Sequence, residues 1–131
     1  WFTNSIVGAG SVEASRASVQ NYFDSVNNKD YDKAFTYVTS QGNTNPVEKQ
    51  KWLESMKSAP KQITVGPLRW KQISFVNNRK RIICEADLQI TKPGEGAVEA
   101  SHMTRYISFL EEDGEWRIEG FYKEMPEIKK E

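Results

Sequence analysis

The chain is poor in the residues that most often carry chemistry or crosslinks. It has one cysteine and one histidine among 131 residues. A single cysteine excludes an internal disulfide and any multi-cysteine zinc site. A single histidine excludes a histidine-rich metal centre and leaves only a weak one-histidine-plus-carboxylates site. Apolar runs last only a few residues, so no helical bilayer span is encoded here. No phosphate-binding glycine loop and no serine nucleophile motif occurs. Net charge is also missing, with 18 Lys+Arg against 18 Asp+Glu.

That balance hides an uneven distribution. From Ser55 to Cys84 there are seven bases and no acid; from Glu85 onward there are twelve acids and six bases. Cross-strand charge pairing inside one sheet accounts for such a split. A nucleic-acid surface needs an uncompensated basic patch. "LRWKQISFVNNRKR" mixes bases with aromatics as single-strand binders do, but an exposed hairpin has the same mix. Nucleic acid is not an expected partner.

What is present suffices for one core. Hydrophobic residues make up 37% and aromatics 11%, within the range of a folded domain and outside that of a disordered chain. A chain of this length buries roughly two-thirds of its unfolded surface.

The first half has helical periodicity. Val12, Val19, Phe23 and Val26 recur at spacings of seven, four and three, one stripe of a helix over 11–27. Ser11 is its candidate cap, and "NNK" ends it. Asp30 caps a second, short helix that buries Tyr31, Ala34, Phe35 and Val38. "QGNTN" reads as a break. Asn45, Pro46 and Glu48 combine a cap, a first-turn proline and a capping-box acid, opening a third helix to about Lys57 with Trp52, Leu53 and Met56 inward.

The second half alternates with period two. Asn77-Asn78, Pro93-Gly94-Glu95-Gly96 and Asp113-Gly114 separate strands near 68–76, 79–91, 98–110 and 115–122. Such short turns make an antiparallel meander. They pair Phe75 with Lys80, Ile82 with Ile107 and Phe109 with Ile118. One face then carries Ile73, Phe75, Ile82, Cys84, Ala86, Leu88, Ile90, Met103, Ile107, Phe109, Trp116 and Ile118.

The order of these elements, with "YFDSVNNKDYDKAFTYV" and "EDGEWRIEGF" in place, resembles the nuclear transport factor two-like superfamily, the cystatin-like α+β cones. The likeness covers roughly Ser11 to Lys123. It implies an α+β fold, three N-terminal helices packed on a curved four-stranded antiparallel meander. The expected division is an arm or juxtamembrane remnant at 1–10, one cone domain at 11–123 and a charged tail at 124–131. "NNKDYDKAF" followed by "NPVEKQKWLESM" looks most like the non-catalytic envelope and lipoprotein members of bacteria. The resemblance therefore implies an extracytoplasmic binding or assembly domain, not an enzyme, without cofactor. "WFTNSIVGAGS", which starts at Trp1, suits the juxtamembrane end of a removed anchor or signal segment, though a tag remnant or a native arm fits as well. The alternative is a small-molecule enzyme or ligand carrier of the isomerase or dehydratase type. Isomerase-like members place a pocket carboxylate just after the second helix, where this chain reads "TSQGNTNP", without an acid.

"CEADLQI" raises the catalytic question directly. Glu85 and Asp87 flank a core strand, and in the expected register Asp87 faces His102 while Glu85 faces Thr104 and Trp70. A general acid needs desolvation or a like charge to raise its pKa. These neighbours supply neither, so the pair reads as surface pairing. Cys84, pointing inward, reads as a small inert hydrophobe. Two rows then stand out. Outward, Ile83, Tyr106 and Phe121, with Trp70 nearby, form an apolar patch that would mediate self-association or hold a protein partner. Inward, Lys71, Arg105 and Tyr122 share a row with Cys84. Such cations must snorkel, pair with Asp24 or Asp32, or receive a small anionic ligand.

Overall fold

The computed structural model describes residues 9–58, 62–91 and 101–126. The helices are α1 (Ala9–Asn27), α2 (Tyr31–Phe35), α3 (Ser40–Thr44) and α4 (Pro46–Lys57). The strands β1 (Gln62–Val76), β2 (Arg79–Thr91), β3 (Ser101–Glu112) and β4 (Glu115–Tyr122) form one antiparallel sheet in the order β1-β2-β3-β4. The fold is therefore the expected α+β arrangement of helices followed by a meander. Residues 1–8 and 127–131, in the expected arm and tail, lie outside the described residues, whereas Ala9 and Gly10 already belong to α1.

Local chemistry explains the helix ends. Asp30 N–H reaches Ser25 C=O and Lys29 N–H reaches Val26 C=O, closing the end of α1 with Lys29 at φ 60°. That left-handed position usually belongs to glycine. The next residue, Asp30, accepts from Lys33 N–H and starts α2. Asn45 caps α4 by accepting from Val47 and Glu48 N–H at 3.1 Å each. The "QGNTN" stretch is not a simple break: Thr39 caps it and one helical turn, α3, forms there. Gly42 is required inside that turn, because a Cβ would sit 2.6 Å from Val38 Cγ1 and 2.9 Å from Trp52 Nε1.

Both tight hairpins have positive φ at their two central residues, 49° and 65° at Asn77-Asn78 and 53° and 78° at Asp113-Gly114. This turn geometry matches strand twist. Phe75 faces Lys80 and Phe109 faces Ile118, as expected. The middle register differs: Ile82 faces Phe109, and Ile107 faces Cys84. The expected four-residue loop falls on residues outside those described. A slip of two positions preserves the alternation of faces, so the expected apolar face survives. Ile82, Cys84, Ala86, Leu88, Ile107, Phe109, Trp116 and Ile118 join Val19, Tyr22, Phe35, Val38 and Met56 in the core. Phe75 is the exception, 59% exposed near the hairpin end.

Three irregularities do change faces. Register shifts fall between Val65 and Leu68, between Trp70 and Gln72, and between Ser108 and Phe109 opposite β4. The sheet edges are handled differently. Residues 37–39 line the edge of β4, with Thr39 N–H donating to Ile118 C=O and Ile118 N–H donating to Tyr37 C=O. At the start of β1 the Gln20 side chain of α1 imitates a strand. Its amide donates to Ile63 C=O at 3.1 Å and accepts from Val65 N–H at 2.8 Å.

Candidate functional site

The face of the sheet away from α1 is a ladder of charged groups. The shift at Lys71–Gln72 brings Arg69, rather than Trp70, opposite Glu85. Arg69 Nε donates to Glu85 Oε1 at 2.7 Å, and its two Nη groups hold both oxygens of Asp87 at 3.0 and 3.1 Å. The planar guanidinium fork suits this bidentate geometry. Tyr106 hydroxyl donates to Glu85 Oε2 at 3.0 Å, Thr104 hydroxyl donates to Asp87 at 3.3 Å, and Lys71 Nζ lies 3.9 Å from Glu85.

These contacts fix protonation. Arg69, through its hydrogen bonds, holds both Glu85 and Asp87 below the usual carboxylate range. Glu85 in turn raises the Tyr106 hydroxyl. A carboxylate so held stays ionised and has no proton to give near neutral pH. Asp87 faces Thr104 and Glu85 faces Tyr106, while His102 faces Gln89, so the expected Asp87–His102 opposition does not form. Cys84 is fully buried, and burial pushes its thiol up to about 12. It is a protonated core residue at neutral pH.

Two more tiers follow along the sheet. Arg81 grips Glu119 through two bonds of 2.8 and 2.7 Å, and Ser108 hydroxyl donates to the same carboxylate at 2.6 Å. Beyond it, Glu112 accepts from Ser40 N–H and Ser40 hydroxyl, both at 2.8 Å, and from Arg79 at 2.9 Å. Arg117 approaches Glu112 at 3.7 Å and donates to Thr36 C=O. The basic hairpin and the acidic later strands thus neutralise each other across the sheet, as their distribution along the chain predicts.

Sequence reasoning missed Glu112. The segment after α2 has no acid of its own, yet β3 delivers one to its backbone. The only local signal was the Thr39-Ser40 pair, which offers donors at a helix start; the partner lies 72 positions away. Glu112, Glu119, Arg79 and Leu110 line a cavity of about 660 Å³ together with Gln41, Gly42 and Trp52.

The two expected rows do not assemble. Lys71 sits at the register shift and turns to Glu85, and Tyr122 faces Tyr106 on the charged side. Arg105 faces Ala86 and donates to Thr104 C=O at 2.8 Å instead of meeting Asp24, which accepts from Gln20. In the other row, Ile83 is buried opposite Ser108, and Tyr106 is bonded to Glu85. Phe121 points into the helices, its ring 5.9, 5.5 and 6.1 Å from Tyr22, Phe23 and Trp52. Trp70 pairs with Cys84 in register and is 47% exposed. The shift in β4 near Gly120 causes the exchange of Phe121 and Tyr122 between faces.

No protein-family model and no curated protein matches this chain.

Proposed function

We propose that this is a non-catalytic binding or assembly domain of a bacterial envelope-associated protein, working outside the cytoplasm. The observation that carries the non-catalytic part is the Arg69 clamp. It consumes both carboxylates of the one acidic pair that sequence reasoning singled out for acid–base work. The envelope assignment rests on the resemblance of "NNKDYDKAF" and "NPVEKQKWLESM".

Fractionation of the native cells, with protease added to intact spheroplasts, tests the location. Loss of the protein to external protease supports the reading, and a protease-protected soluble fraction overturns it. A photo-crosslinker placed at Tyr122 or His102 tests for a partner or a second copy on the charged face. A reproducible adduct supports that surface.

The cavity beside Glu112 supports a second reading, a carrier of a small polar ligand. Trp52, Gln41 and Arg79 are the groups such a ligand would meet. Ligand-dependent quenching of tryptophan fluorescence that Trp52→Phe abolishes would favour it.

A further inference from the structure

We infer that the second half of the β1 edge, from Gln72 to Val76, takes an extended acidic segment of a partner protein by strand addition. The proposal deepens the binding reading by naming a surface and the chemistry of what it holds.

Other stretches of the sheet edges are occupied or blunted. Residues 37–39 line β4, and the Gln20 amide satisfies Ile63 and Val65 at the start of β1. Pro67, the two register shifts of β1 and Lys71 interrupt its middle, the devices that keep an edge from pairing. Past Gln72 the strand runs regularly to the hairpin, with Ile73, Ser74, Phe75 and Val76 in unbroken register with β2. In a two-residue hairpin the residues beside the turn bond each other. Val76 therefore aims its backbone groups at β2, and alternation turns those of Ile73 and Phe75 outward. Among the described residues nothing bonds them. An exposed edge of this kind is a template for another strand.

Side chains select the occupant. Phe75, 59% exposed, stands beside Ile73 on the helix side of the strand and offers an apolar grip. From Arg69 to Arg81 the hairpin contains five bases and no acid. Arg69, Arg79 and Arg81 are held by acids of this chain. Lys71 lies 3.9 Å from a Glu85 already held by Arg69, and Lys80 has no acid partner among the described residues. Lys71 leads into the open stretch and Lys80 stands across from Phe75 on β2, and the two charges favour acidic residues on the incoming strand. A second copy would bring its own Lys71 and Lys80 to the same place, which disfavours self-pairing.

The probe is a capped synthetic peptide of alternating valine and threonine with a glutamate at each end, titrated into the whole chain. The readout is the amide signals and hydrogen exchange of Ile73 and Phe75. The expected result is slowing of exchange at these two amides by about tenfold at saturation, with little change at Ile63 and Val65. Lys80→Glu should weaken binding roughly fivefold, the scale of an exposed charge pair. Phe75→Pro should abolish binding, since it removes an outward donor that β2 does not use. If that variant fails to fold, Lys80→Glu still decides. Equal binding of the same peptide with lysines at its ends, perturbation elsewhere, no binding at millimolar peptide, or a wild-type dimer paired through these residues would each overturn the proposal. None of these outcomes bears on the cell-fractionation result, so the surface and the broader reading fail separately.

Discussion

The two faces of the sheet use the same strands and opposite physics. On the helix side Ile82, Ile107, Phe109 and Ile118 are fully buried, and each such side chain contributes roughly 1.5–3 kcal/mol by leaving water. On the other side Arg69, Arg79 and Arg81 reach across strands to Glu85, Asp87, Glu112 and Glu119. Apolar burial is non-directional and tolerates a register slip that keeps parity. Bidentate ion pairs are directional and depend on which residue stands opposite. The helix side therefore sets stability, while the charged side is suited to specifying the register.

Four substitutions break or sharpen that contrast. Phe109→Ala, on the helix side, should cost about 3–5 kcal/mol. A denaturant midpoint that hardly moves would deny the helix side its dominance. Glu112→Ala comes next. Its side chain is only 7% exposed, and its loss strips a partner from Ser40, Arg79 and Arg117. The expected loss is about 1–3 kcal/mol, the cost of a buried polar group left unsatisfied. A cost as large as that of Phe109→Ala would mean that the charged side also carries stability.

Gln20→Ala tests the edge between the two faces. It leaves Ile63 C=O and Val65 N–H to water and should cost about 1 kcal/mol. Faster exchange confined to Val65 and its neighbours would show the cost to be local. The smallest effect should come from Arg69→Gln, in an exposed part of the ladder, and it should depend on pH. Glu85 and Asp87 have folded-state values below their ordinary 4.5 and 3.8. Groups lowered on folding stabilise above their ordinary values, and the effect fades as pH falls through the lowered ones. Variant and wild type should therefore differ in melting temperature near pH 6 and converge in strong acid. A difference that persists at pH 2 would contradict the ionised clamp.

The legibility of the candidate site followed the same division. That Glu85 and Asp87 are surface-paired carboxylates was readable from alternation along β2. Their partner was not. Arg69 reaches them only because β1 gains a residue near Lys71, and nothing in a period-two pattern marks that residue. Ser40 and Glu112 were equally hidden, since a contact between distant segments leaves no trace in local spacing.

Sequence by itself determined the order of helices and strands, the caps at Asp30 and Asn45, the two tight turns and the apolar face of the central strands. These depend on near neighbours: propensity, capping hydrogen bonds, and asparagine or glycine where φ is positive. Only the tertiary structure decided the middle register, the one-turn helix after Thr39, and the faces on which Lys71, Phe121 and Tyr122 lie. A register shift exchanges local regularity for side-chain partners on other strands. Its free energy belongs to the packed sheet and not to any short window of the chain.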